Sequence, residues 1–450
     1  MSSRINQSLA FLNNLRKIPL DEQSVDCLFS SKSFKAELLK QIKNAQYRIY
    51  LTALYLEADE AGSDILMALY EAKKLNPALK IIVCIDYHRA QRGLIGEKNA
   101  TATNATWYQE IEKAQQLDVQ IIGIPVKRKE IFGVQHLKGF IFDDLVLYSG
   151  ASFNNIYLHQ DDRYRYDRYW LIKNAPLADS MVAFLHKEIL ESGAVARLNG
   201  ATIKSMRELK SAHKKLTRNL KQARFSYEGV RSSDCLAVTP LCGFGTRKNK
   251  LNYSIRKLLQ SAQQQVVLFT PYFNFPAAIE RDITALLKRD VKLTIVVGDK
   301  TANDFYIPED QPFRTIGGLP YLYETNLKRF AKKHQARLKS GQLQLNLWFD
   351  DSNSFHLKGL YVDNRFILLT GHNLNPRAWR LDVENGLLID DPKQQLKPLL
   401  DKEYAQVFTN TKLITDVQQI QDVSEYPEKV KKLLVRLRRL KADKIIKGII

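Results

Sequence analysis

The sequence is poor in cysteine, methionine and tryptophan, with four of each in 450 residues. Cys27, Cys84, Cys235 and Cys242 are scattered without C-x-x-C spacing, so neither a zinc cluster nor a disulfide framework organises the chain. Long apolar runs are missing too. No stretch of about 18 apolar residues occurs, and the opening MSSRINQSLAFLNNLRKIPL lacks an apolar core followed by a small-residue cleavage site. A cytoplasmic protein without a membrane span is expected. Acids are in deficit, 48 against 68 basic residues, for a formal net charge of +20. The excess is local. Residues 204–224 carry eight Lys/Arg and one acid, and residues 429–450 carry nine against Asp443. Two such segments imply an extended polyanion as partner, nucleic acid or an anionic membrane surface. With 45% hydrophobic residues the chain can still bury sizeable cores, and its length suggests two or three domains.

What is present is a repeat. The pattern H-x-K-x-x-x-x-D occurs as His136, Lys138, Asp143 and again as His356, Lys358, Asp363, with His-Leu-Lys-Gly both times. On a strand, an imidazole and an ammonium two residues apart share a face. The aspartates, seven positions on, belong at strand ends in a supporting role. The surroundings repeat as well. Helix (AELLKQIKNAQ), strand (RIYLTALYL), helix (DILMALYEAKK) and strand (KIIVCID) precede the first copy; SIRKLLQSAQQ, VVLFTPYF, AIERDITALLKR and KLTIVVGD precede the second. After the motifs LYSGASFN aligns with LLTGHNLN, and DRYWLI with ENGLLI. The chain reads as a duplicated α/β unit.

If the halves pack about a pseudo-two-fold axis, one pocket gathers His136, Lys138, His356 and Lys358, with Ser152, Asn154, Asn373 and Asn375 nearby. That set suits a phosphoryl group. One histidine attacks phosphorus to give a phosphohistidine, and the other serves as acid and base. Lysines and asparagines stabilise the equatorial oxygens, so neither a metal ion nor another cofactor is required. Asp167 and Glu384, matched by the internal alignment, are expected to orient the imidazoles from behind and favour their cationic form. A surface ion pair is the competing account of Asp167, and turn formation that of Asn154 and Asn373.

These residues resemble the phospholipase D superfamily, whose signature is the duplicated H-x-K-x-x-x-x-D. More narrowly, ALYLEADEAG, DYHRAQRG, HLKGFIFDD, YLHQDDRYRYDRYWLI, DKTANDFYIPED and TGHNLNPRAWRLDVEN resemble the Gram-negative-type bacterial phosphatidylserine synthases, CDP-diacylglycerol–serine O-phosphatidyltransferases. The likeness spans nearly the whole chain. One departure is Ser149-Gly150 and Thr370-Gly371 where the superfamily commonly has Gly-Ser. The resemblance implies two tandem phospholipase D-like α/β sandwich domains, residues 1–200 and 232–412, separated by a basic amphipathic linker at 201–231. It implies that one histidine displaces CMP from CDP-diacylglycerol and that L-serine then takes the phosphatidyl group, with His136 as nucleophile and His356 as acid/base. Other superfamily activities, a cardiolipin synthase-like transferase or a nuclease, are the alternatives, with nucleic acid the weaker partner. Residues 413–450 end in a basic amphipathic helix, with Val430, Leu433, Leu434, Leu437, Leu440, Ile445 and Ile449 on one side. Lys431, Lys432, Arg436, Arg438 and Arg439 would meet an anionic leaflet there, placing the protein peripherally on the inner face of the cell membrane. Docking of that apolar stripe on the protein's own core is the competing reading.

Overall fold

The structure is a computed structural model that describes residues 2–92, 103–231 and 234–439. The predicted helices and strands form in both halves: helices Ser31–Asn44 and Glu60–Leu75 with strands Arg48–Thr52 and Lys80–Asp86, then helices Lys250–Ser261 and Ala277–Leu287 with strands Gln265–Thr270 and Lys292–Gly298. Asp59 starts Glu60–Leu75 by accepting the Gly62 N–H, and Asn249 starts Lys250–Ser261 by accepting that of Asn252.

Each half builds a mixed sheet on the same six-strand plan. In the first the order runs Val119–Ile124, Lys80–Asp86, Arg48–Thr52, Gly139–Phe142, Leu145–Ser149, Tyr169–Lys173; in the second, Leu343–Trp348, Lys292–Gly298, Gln265–Thr270, Gly359–Val362, Phe366–Thr370, Val383–Asp390. Strand alternation sets the layers. Ile49 and Leu51 face their own half's helices, whereas Tyr50 joins the central cluster; Val266 and Leu268 likewise face outward and Val267 and Phe269 inward. The central cluster draws on both sheets, so helices cover the outside and the sheets meet face to face.

The predicted boundaries differ from this arrangement. Residues 2–19 pack with the second half: helix Ser2–Asn13 lies on Lys250–Ser261, and strand Ile18–Pro19 pairs antiparallel with Ala237–Phe244. Buried Lys17 reaches Asp390 at 2.6 Å and fastens the segment there. At the other end Thr411–Ile414 completes the second sheet beyond residue 412. Within the basic linker, helix Lys210–Leu220 buries His213, Leu216 and Leu220, so its apolar spacing serves packing.

Candidate active site

The two motifs sit where the halves exchange backbone hydrogen bonds. His136 and Lys138 lie just ahead of strand Gly139–Phe142 rather than within it, because their amides bond the other half. The His136 N–H donates to Val383 O (3.0 Å) and the Lys138 N–H to Asn385 Oδ1 (2.8 Å), while Asn385 Nδ2 donates back to Lys138 O (2.8 Å). In the second copy Ser354–Phe355 pairs with Arg165–Tyr166 and the His356 N–H donates to Tyr166 O (2.7 Å).

That exchange carries carboxylates across. His136 Nδ1 meets Glu384 at 2.9 and 3.0 Å, and His356 Nδ1 meets Asp167 Oδ2 at 2.9 Å. Each imidazole is therefore held by the other half's acid, and Asp167, 4% exposed, is no surface ion pair. The lysines cross as well. A Cβ on Gly371 would meet Lys138 Cγ at 2.9 Å, and one on Gly150 would meet Asp167 Oδ2 at 2.7 Å and Lys358 Nζ at 3.1 Å. The departure from Gly-Ser is thereby accounted for. Ser149 and Thr370 close the turns by accepting the Ala151 and His372 N–H groups, and the glycines leave room for lysine and carboxylate.

Charge in the buried site corrects one expectation. Burial, then Lys358, pushes His356 down to about 4; burial and both lysines push His136 well below the usual histidine range. Both shifts favour neutral imidazoles over the cationic form. Burial alone would raise Asp167, but Lys358 and His356 bring it down to about 2. Glu384 goes the other way, well above the carboxylate range, through burial and the nearby Asp382. Burial and Lys358 lower Lys138 to about 7, and burial lowers Lys358 to about 8 against the pull of Asp167.

Against known proteins, the signature described as "Cardiolipin synthase, PLD-like domain" matches residues 255–410. A CDP-diacylglycerol–serine O-phosphatidyltransferase of Haemophilus influenzae is 47% identical over 98% of this chain and 97% of its own. The Escherichia coli protein of that name is 45% identical over 99% and 98% of the two chains. The crystal structure of the phosphatidylserine synthase of Haemophilus influenzae superposes with a TM-score of 0.96 at 47% identity, covering 99% of each chain. The chain belongs to the CDP-diacylglycerol–serine O-phosphatidyltransferase family. A yeast CDP-diacylglycerol–glycerol-3-phosphate 3-phosphatidyltransferase, from Saccharomyces pastorianus, is more distant at 23% identity.

In this member of the transferase family the remaining candidates fall into two groups. Asp143 and Asp363 are not among the reacting groups. Asp143 accepts the N–H groups of Gln46, Tyr47 and Arg48, and Asp363 those of Gln263, Gln264 and Gln265, each at 2.8–3.0 Å, so the motif's acid fixes the start of the adjacent strand. Their positive φ values, 51° and 53°, mark the tight turns they close. Ser152 Oγ accepts the Leu54 N–H, and Asn154 and Asn375 cap short helices through the N–H groups of Tyr157 and Ala378, which commits their oxygens to the turns. Asn373 Oδ1 is buried without a hydrogen-bond partner among the described residues. The Asn154 cap matters because it sets Tyr157, whose hydroxyl lies 2.9 Å from His356 Nδ1 and 3.3 Å from Nε2. Sequence reasoning missed Tyr157, although it stands in the YLHQDD segment, and missed Asn385, whose place directly after Glu384 was the available signal.

The C-terminal helix Glu428–Arg439 docks. Val430 and Leu434 are buried against Tyr321, Leu322 and Tyr426, which corrects the reading of a stripe free to enter a membrane. Lys432, Arg436 and Arg439 remain exposed, Lys431 is half-buried and pairs with Glu428 at 3.1 Å, and the side chain of Arg438 with residues 440–450, including Leu440, Ile445 and Ile449, lies outside the described residues. Among the described residues no helix is long and apolar enough to cross a membrane.

Proposed function

We propose that the protein makes phosphatidylserine and CMP from CDP-diacylglycerol and L-serine through a phosphatidyl-histidine intermediate, without a metal ion, at a membrane surface. The observation that carries the reading is the crossed pair of histidine–carboxylate contacts in one buried, lysine-lined site. His136, with Nδ1 on Glu384, attacks the phosphorus attached to diacylglycerol, and CMP leaves as a weakly basic phosphate. His356, with Nδ1 on ionised Asp167, then takes the proton of the serine hydroxyl as that oxygen attacks the phosphohistidine. Lys138 and Lys358 neutralise the equatorial oxygens, with the amide N–H groups of Asn373 and Asn375 as further donors; Asn154 gives its Nδ2 to Glu57 and serves the turn. The test is CMP release from CDP-diacylglycerol in mixed micelles with and without L-serine, in the presence of EDTA. Serine-dependent phosphatidylserine is expected with the chelator present; abolition by EDTA with rescue by Mg²⁺ overturns the metal-free step, and cleavage of an oligonucleotide without CMP release overturns the function.

Two further expectations follow from the site. Attack by His136 requires its pair with Glu384 to lose the extra proton that burial retains there, which gives an acid limb in kcat/KM. On the alkaline side the lysines lose charge as pH rises through about 7 for Lys138 and about 8 for Lys358, so kcat/KM falls. Lys138→Arg keeps its charge throughout and is expected to remove the lower of the two alkaline steps; an unchanged profile contradicts this assignment.

Because the C-terminal stripe is occupied, contact with the bilayer is assigned to residues 127–133, directly upstream of His136. Ile131 and Phe132 are 60% and 57% exposed on a 3₁₀ turn flanked by Lys127, Arg128 and Lys129. Arg377 braces the turn by donating to Glu130 O at 2.9 Å. Exposed apolar tips among cations suit an anionic interface, each cation adding about 1 kcal/mol. The double variant Ile131→Glu, Phe132→Glu is expected to lower co-sedimentation with anionic vesicles by about tenfold or more. Unchanged binding moves the interface elsewhere.

A further inference from the structure

The two ends of the site differ at one framework position. Arg165 and Asp167 are two apart on an extended segment and share a face, the one presented to His356. In the other half the residue two before Glu384 is Asp382, so the same position is cationic beside His356 and anionic beside His136. Around Arg165 stands a compact polar group. Its Nε lies 2.9 Å from Asp304 Oδ1 and 3.3 Å from Ser354 Oγ, and its guanidinium stacks 4.5 Å from the Tyr157 ring centre. Tyr157 in turn touches both nitrogens of His356. Tyr272 donates to Asp304 Oδ2 at 2.6 Å and stacks on Tyr323 at 5.4 Å.

One polar atom here is left over. The Tyr323 hydroxyl is buried with no partner among the described residues, and Asp304, the carboxylate of the group, is held by Arg165 and Tyr272. An unsatisfied buried hydroxyl is costly, and its place beside a buried ion pair next to His356 points to a ligand. A cation and an anion side by side, lined by phenol rings, complement a zwitterion.

We propose that Arg165, Asp304 and the Tyr157, Tyr272 and Tyr323 group form the acceptor subsite for an α-amino acid, Arg165 taking the carboxylate and Asp304 the ammonium, with the side-chain hydroxyl turned to His356. This rests on the reaction proposed above and assigns its second substrate a place. Binding the zwitterion leaves the net charge of the subsite at zero, so the positive potential of the lysines stays available to the phosphate.

The test is steady-state kinetics on the full chain with both substrates varied. For Arg165→Gln and for the isosteric Asp304→Asn, KM for L-serine is expected to rise about tenfold or more while KM for CDP-diacylglycerol changes less than about threefold, since a lost charged hydrogen bond is worth about that factor. Arg165→Lys is expected to recover part of the loss. Ethanolamine, which lacks the carboxylate, is expected to compete with L-serine about as well against Arg165→Gln as against the wild type. A fall in kcat with both KM values unmoved, or equal rises in both, overturns the subsite and leaves Arg165 a strut between the halves. Absence of serine-dependent product from the wild type is the separate result that removes the underlying reaction.

Discussion

His136→Ala is expected to abolish the covalent phosphatidyl-enzyme and to lower kcat by a factor on the order of 10⁴ or more, the scale seen when a nucleophile or its base is removed. His356→Ala is expected to lose serine-dependent turnover to a similar degree yet still to release CMP and accumulate the intermediate, because CMP needs little protonation to leave and the serine hydroxyl needs a base. The measurement is lipid-phosphate label retained on protein after an alkaline quench, since a P–N bond to imidazole survives base and is lost in acid. The geometry favours this order of roles. Among the described residues His136 Nε2 has no hydrogen-bond partner, whereas both ring nitrogens of His356 are approached by the Tyr157 hydroxyl and by Lys358. Label on His356→Ala and none on His136→Ala supports the assignment; the reverse exchanges the two roles while leaving the mechanism intact.

Asp167→Asn is expected to cost about 10³–10⁴ in kcat, as when the carboxylate behind a catalytic histidine is replaced by its amide and the imidazole is held in the wrong tautomer. The native carboxylate, held down to about 2, accepts the Nδ1 proton and leaves Nε2 of His356 as the base. An amide can offer an N–H to Nδ1 instead, which turns the proton to Nε2 and blocks the second step. Lys358 loses its carboxylate contact, the one it has among the described residues, in the same change. The decisive readout is the pre-steady state: the CMP burst persists and transfer to serine slows. If burst and transfer fall together, Asp167 acts on both steps.

Much of this site was legible because duplication wrote it twice. The spacing of His136 and Lys138, recurring at His356 and Lys358, pointed to the side chains that the fold brings together, and the internal alignment paired Asp167 with Glu384. The protonation states were not legible, since they depend on burial by residues distant in sequence; Asp382, only two residues before Glu384, raises it strongly because both side chains are enclosed. The odd spacing of Asp143 and Asp363 from the histidines already places them at strand ends in a supporting role; the turn geometry, with three backbone amides on each carboxylate, shows what they support. The C-terminal helix misled for a physical reason. An amphipathic stripe states that a face will be buried and says nothing about whether lipid or protein buries it, and of its partners only Tyr426, just before the helix, is local, while Tyr321 and Leu322 lie far upstream. Ile131 and Phe132, two apolar residues in a charged loop, carried no periodic signal at all.

The pairing of Ile18 with Val238 bears on how the chain is made. During synthesis the amino-terminal helix and strand emerge first, but their partners, Lys250–Ser261 and Ala237–Phe244, leave the ribosome only after the whole first half. The first sheet can close early, with its own motif exposed and lacking Glu384 from the unmade half. Assembly of the second sheet is then what gives Ser2–Asn13 and Ile18–Pro19 their partners and brings Glu384 to His136. A first half by itself would hold one motif and lack Glu384, His356 and Lys358.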